Sequence, residues 1–182
     1  MANKDTQYLA EEETKGPYRI TTEYWSRVGR IVVNCVDAEE AIATFLAFSL
    51  ALPRSEDALF LRDNILNSIP FEKKIELLRS FARSKKVYDK LLTKKINSAD
   101  ELRIIRNKLV HNVPGFIPKI RTYTISQTKW DSDGSQKVIK IAVDNKLEKH
   151  VEKLIDDIIE AHWMINKKLG RIRKEQGREI LY

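Results

Sequence analysis

"TEYWSRVGRIVVNCVDAEEAIATFLAFSLAL", Thr22–Leu52, decides the fold class. Trp25, Val28, Val32, Cys35, Ile42, Leu46 and Ser49 recur along it at three, four and seven residues, the period of one face of an α-helix, and Pro53 closes it. Glu39 falls on the same face, between Cys35 and Ile42. A carboxylate on a buried face is costly unless something pairs with it, so Glu39 reads either as a satisfied buried polar group or as an orienting residue of a site.

Outward from this helix, residues 1–21 read as a flexible tail ending near Gly16 and Pro17. Downstream, Ser55 to Asn67 suits a short helix, and "PFEKKIELLRSFARSK" opens another with its proline at the start. "KKVYDKLLTKK" suggests a further short helix. "SADE" (Ser98–Glu101) then has capping-box spacing, and the helix it predicts ends near Asn112, because Pro114 disfavours helical geometry at Val113. The period changes in "KIRTYTISQTKW" and "QKVIKIAVD". Both are rich in Ile, Val, Thr and Tyr and flank "DSDGS", so they predict a β-hairpin turning near Gly134. A last helix runs from Asn145 to about Gln176 on the stripe Val151, Leu154, Ile158, His162, Ile165, Leu169 and Ile172. The fold class is mainly α: one domain over 22–182, a helical bundle with a single inserted β-hairpin at about 117–143.

Composition narrows function. The chain has 182 residues, one cysteine (Cys35), and only 6 glycines and 5 prolines. An internal disulfide and Cys-pair zinc sites are excluded. The longest apolar run, Ala41–Leu52, is about half of a membrane span, and the first residues lack an apolar leader core. These features point to a cytoplasmic protein with no membrane association. The net charge of +7 is concentrated: residues 62–121 hold fifteen Lys and Arg against six Asp and Glu, a local +9. Such a field suits a polyanion such as RNA, and equally a solvated basic helix pair.

Within that basic segment lies "RNKLVHN", Arg106–Asn112. Leu102, Ile105 and Leu109 mark the inner row of its helix. Asp100, Arg103, Asn107 and His111 share another face, and Arg106 lies between the two. Imidazole exchanges protons near neutral pH. Guanidinium stabilises charge on a phosphorane-like transition state, and asparagine orients either group. Together they suit metal-independent cleavage of RNA by its 2′-hydroxyl, with no cofactor. Two proton transfers and one motif histidine favour a homodimer that joins two motifs, although substrate or water also fills the second role.

The run "RNKLVH", preceded by "FEKKIELL", resembles the Arg-x(4–6)-His signature of HEPN domains, in which a polar residue often follows the arginine. The resemblance covers about residues 22–182. It implies a HEPN-like helical bundle, frequently a dimeric, metal-independent endoribonuclease of phage defence, toxin–antitoxin pairs or RNA processing. Carried over by position, Arg106 and His111 are catalytic, Asn107 supports them, and Glu39 is a candidate partner from the first helix. Arg103, Lys108, Lys73, Lys74 and Arg79 are the candidate RNA contacts. Val113 stands where toxins paired with a nucleotidyltransferase carry tyrosine, which disfavours that subgroup. "NSIPFEKK" likewise lacks the glycine-rich segment of the mannitol-operon repressors.

The rival expectation is a non-catalytic HEPN module that binds RNA or an inhibitory or effector protein. The remaining candidates have plainer readings. His162 suits a core histidine, His150 a surface one, Trp25 and Trp163 core or dimer contacts, and Trp130 and Tyr123 sheet packing.

Overall fold

The computed structural model describes residues 4–51, 55–117, 122–130 and 136–175. The expected turn near Gly134 and residues 176–182, where the last helix was expected to end, lie outside them. The chain is mainly helical, with an inserted antiparallel hairpin. In order it forms α1 (Lys4–Leu50), α2 (Ser55–Asn64), a 3-10 turn (Leu66–Ser68), α3 (Phe71–Ser84), α4 (Lys90–His111), β1 (Val113–Ile117), β2 (Thr122–Trp130), β3 (Gln136–Ala142) and α5 (Asn145–Glu175). Among the described residues no helix is long and apolar enough to cross a membrane. The chain divides into two compact units, and α1, α4 and α5 each run from one into the other.

The first unit takes the chain up to Val32 and Lys108–Glu148. Its sheet has three antiparallel strands in the order β1-β2-β3. β2 pairs with β3 from Thr124↔Ala142 to Trp130↔Gln136, and with β1 from Val113↔Ser126 to Ile117↔Thr122. The hairpin was expected and β1 was not. Pro114 ends the helix and lacks an amide, so "VPGFI" can extend only as an edge strand. Thr124, Ile125 and Val143 are buried beside Tyr24, whose ring meets that of Tyr123 at 5.4 Å between centroids.

The backbone is helical from Lys4, in place of the flexible tail expected over 1–21. Ala10, Glu11, Glu12, Glu13 and Lys15 are strong helix formers, and extending an existing helix needs no new nucleus. Those terms outweigh the hydrogen bond that Pro17 removes. The inner row of α1 is also rotated relative to the expected stripe: Tyr24, Val28, Ile31, Cys35, Ala38, Ile42 and Leu46 are buried, and Trp25 is 51% exposed.

The second unit, Val33–Asn107 and Lys149–Tyr182, is a helical bundle. Its core holds Ile42 and Leu46 of α1, Ile75 and Leu78 of α3, Leu92, Ile96 and Leu102 of α4, and Val151, Ile158 and Ile165 of α5. Phe45 joins three of its helices, edge-on to Phe81 and stacked on His162 at 4.5 Å.

The capping box expected at Ser98–Glu101 does not form, because α4 begins a full two turns earlier. Asp89 starts it, accepting from the Leu92 amide at 2.8 Å and from Thr93 Oγ1 through its backbone carbonyl at 2.6 Å. Ser98 is buried in mid-helix and donates to Asp157 Oδ2 of α5 at 2.8 Å. Lys95 reaches the other oxygen of that carboxylate at 2.6 Å. A hydroxyl with a carboxylate acceptor in the core does not return to its own backbone.

Candidate functional site

Three helices of the second unit build a charged cluster around Glu39. The carboxylate projects from α1 one turn after Cys35. Lys74, on the inner face of α3, donates from Nζ to Glu39 Oε1 at 2.6 Å. Arg106 of α4 places Nη1 at 3.7 Å from Glu39 Oε2. The side chains of Glu39, Lys74 and Arg106 are 16%, 4% and 34% exposed, so the lysine is enclosed and the arginine side chain is partly open to solvent. Arg106 Nε is buried and makes no hydrogen bond. Burial pushes the Cys35 thiol up to about 11, and the Arg106 guanidinium draws it back by less. Cys35 is therefore a protonated, enclosed thiol and not a nucleophile.

Glu39 is thus the costly carboxylate on the core stripe, and Lys74 is the residue that pairs with it. The same observation removes Lys74 from the RNA-contact candidates. An ammonium 2.6 Å from a carboxylate and enclosed by helices cannot reach a phosphate.

The other basic candidates divide by partner. Arg79 binds the Asp100 carboxylate and donates to Asn97 Oδ1 at 3.0 Å. Arg103 lies at 3.8 Å from Asp100 and 3.6 Å from Glu72. Lys73 pairs with Glu76 across one turn at 2.8 Å. Each pair is solvent-accessible, and a phosphate can compete for the cation. Lys108 forms no ion pair among the described residues.

Asn107 and His111 are exposed, and among the described residues neither side chain makes a hydrogen bond or ion pair. His111 is the last residue of α4 and belongs to the first unit. Asn112, the final letter of the motif, has a structural role: its Nδ2 donates to the Lys108 carbonyl at 2.7 Å and closes the helix end. The structure therefore brings Arg106 to Glu39, and among the described residues nothing pairs with the Asn107 and His111 side chains. Arg106 turns inward to Glu39 instead of reaching along the helix.

The first unit holds a separate cleft of about 310 Å³, lined by Glu23, Arg27, Tyr123, Val143, Asp144, Asn145 and Lys146. Arg27 donates to Asn145 Oδ1 at 2.7 Å and lies at 3.5 Å from Glu148 and 3.6 Å from Glu23. Asp144 accepts from the first amides of α5 at 2.9 and 3.0 Å. Its cation and helix N-terminus are thus already matched by carboxylates. Asp144 before a periodic run is a readable cap, whereas nothing in the sequence marks Arg27. His162, stacked on Phe45, is lowered to about 4 by burial. His150 sits at the surface, 2.7 Å from Glu101. Among the described residues no three His, Cys, Asp or Glu side chains are grouped to hold a metal ion.

No protein-family model matches this chain, and comparison with curated proteins and with solved structures found no match.

Proposed function

We propose that this protein is a metal-independent endoribonuclease of the HEPN type, with Arg106, Asn107 and His111 of α4 as its working residues. The observation that carries the reading is the contrast along one helix. Arg106 is held by Glu39 with its side chain one-third exposed, and His111 is exposed at the helix end without a partner among the described residues. An oriented cation and an available imidazole are what 2′-hydroxyl attack on an RNA phosphodiester requires.

In this reaction His111 takes the 2′-hydroxyl proton. The 2′-oxygen attacks phosphorus, Arg106 stabilises the charge on the non-bridging oxygens, and the 5′-oxygen leaves with a proton. The products are a 2′,3′-cyclic phosphate and a 5′-hydroxyl. Water, or His111 of a second copy, supplies the second proton transfer. Glu39 is a positioning residue. Asn107 and Lys108 line the approach, and the accessible pairs of Arg103, Arg79 and Lys73 form a sequence-independent phosphate track.

The test is cleavage of labelled single-stranded RNA and tRNA in excess EDTA. Wild type is expected to cut and to leave cyclic phosphate ends, while His111→Ala and Arg106→Ala do not. Equal cutting by all three proteins would overturn the assignment. Binding without cutting by any of them would favour the rival reading, a non-catalytic RNA-binding module.

A further inference from the structure

We infer that the turn between α3 and α4 is an RNA-anchoring site remote from the motif. It grips backbone phosphates with Arg83, Lys85, Lys86, Lys90 and Lys94 and stacks a base at Tyr88. The inference rests on the proposed function only in taking RNA as the ligand, and it holds whether or not the bound RNA is cut.

The charge of the basic segment is not evenly available. Along the helices most cations face a carboxylate: Lys74 and Arg106 share Glu39, Arg79 and Arg103 share Asp100, and Lys95 holds Asp157. The five cations from Arg83 to Lys94 are all exposed, and among the described residues none of them makes an ion pair. Asp89, the one acid between them, is taken by Lys168 of α5. Like charges gathered on one turn repel, and a polyanion is the partner that relieves them.

The turn is built rather than loose. Val87 N donates to the Ala82 carbonyl at 3.0 Å and Lys86 N to the Arg83 carbonyl at 2.9 Å, the bond pair that ends a helix where glycine usually stands. Here that residue is Lys86, in the left-handed region at φ 57°. A side chain is strained in this conformation and glycine is not, yet the position carries a charge. From α5, Lys168 Nζ donates to the Val87 carbonyl at 3.1 Å and also to Asp89, bracing the turn.

Tyr88 supplies what a plain cation cluster lacks. The Arg83 guanidinium carbon lies 4.9 Å from the centre of its ring, and the ring is half-buried. An aromatic ring beside a guanidinium is a platform on which a base stacks whatever the sequence. An anionic lipid surface or an acidic protein would use the cations and not the ring.

The anchor continues into the accessible pairs of α3 and α4. Lys90, Lys94 and Asn97 recur at four and three residues, one row of α4, and Arg79 donates to Asn97 Oδ1 at 3.0 Å. From Lys90 to Arg106 the helix rises about 24 Å. RNA held at the turn therefore reaches the motif only if it extends several nucleotides beyond the proposed cut.

The experiment is binding of the full chain to a fluorescein-labelled 2′-O-methyl oligouridylate of about 12 nucleotides, read by anisotropy. The methyl group blocks the proposed cleavage, so binding is read apart from catalysis. Lys85→Glu with Lys86→Glu is expected to weaken binding at least about tenfold and to flatten its salt dependence. Lys149→Glu with Lys153→Glu, an equal change of charge at exposed sites on α5, should weaken it far less. Lys86→Gly should raise the melting temperature and still weaken binding, a combination that a structural role does not produce. Tyr88→Ala should weaken binding about tenfold and leave the affinity for base-free polyphosphate unchanged, while Tyr88→Phe binds as wild type does. Equal losses from the two charge-reversed pairs would reduce the effect to net charge and overturn the inference. So would a Tyr88→Ala loss that polyphosphate shares, or a wild type that does not bind the probe. Failure of the nuclease reading shows instead as absent cleavage with this binding intact.

Discussion

Lys74 Nζ lies 2.6 Å from Glu39 Oε1, joining α3 to α1 in the interior of the helical unit. Glu39 shares its second oxygen with Arg106. Because the lysine is enclosed, the two halves of the pair are unequal. Removing the acid strands a buried ammonium, whereas removing both leaves Arg106, which is one-third exposed, as the one charge of the three.

Glu39→Ala should therefore cost roughly 3 kcal/mol of folding stability, the usual consequence of an uncompensated buried charge. Glu39→Leu combined with Lys74→Met should recover most of that loss. Urea unfolding of the three proteins decides the matter, and a Glu39→Ala midpoint equal to wild type would rule the buried pair out as a stability element.

His162 supplies a pH dependence. Burial lowers its folded pKa to about 4, against about 6.5 in the unfolded chain. The depressed value means that the unfolded state binds the proton first. The contribution is complete above pH 6.5 and is lost as pH falls from there towards 4. A shift of that size corresponds to roughly 3 kcal/mol. His162→Phe, which preserves a flat ring against Phe45, should flatten the stability profile between those limits. A profile with an unchanged slope would place the titration elsewhere.

Asp89 takes the capping role that local sequence suggests for Ser98. Asp89→Ala should cost about 1 kcal/mol as a lost helix cap. Ser98→Ala should act through Asp157 instead, so a double-mutant cycle with Asp157→Asn should show about 1 kcal/mol of coupling. Additive effects would mean that the Ser98 hydroxyl does not work through that carboxylate. Hydrogen bonds from Lys95 and Ser98 hold the Asp157 carboxyl below its ordinary value despite the opposing effect of burial. Its contribution is therefore present above about pH 3.9 and lost as pH falls below it.

Gly29 lies within α1, and a Cβ there would meet nothing within 4 Å. Gly29→Ala should raise stability by about 0.5–1 kcal/mol through helix propensity alone. A lower melting temperature would show that a partner occupies that surface.

At the proposed site, His111→Ala should abolish RNA cleavage without moving the melting temperature, since the imidazole has no partner in the described residues. Arg106→Ala should abolish cleavage and also lower stability modestly, because it leaves Glu39 with Lys74 alone. Loss of activity in His111→Ala accompanied by unfolding would point to a structural histidine.

Helix existence and the hairpin were legible because they rest on local quantities: apolar period, β-branched runs, and the break at Pro114. The helical placement of "RNKLVH" was legible for the same reason, as was the need of Glu39 for a partner, which proved to be a cation. The identity of that cation was not. Lys74 sits in "FEKKIELL" beside Lys73, and the two are indistinguishable until packing puts one at 2.6 Å from Glu39 and the other at a solvated Glu76. Ser98 failed as a cap on the same ground, since its acceptor lies 59 positions away on α5.

What this sequence determined by itself is the existence of the main helices and of the hairpin, because side-chain period and backbone sterics act within a few residues of chain. What only the tertiary structure decided is which charges are neutralised and which are left open. Burial and ion pairing join residues distant along the chain, and their energies exist only once the helices have packed.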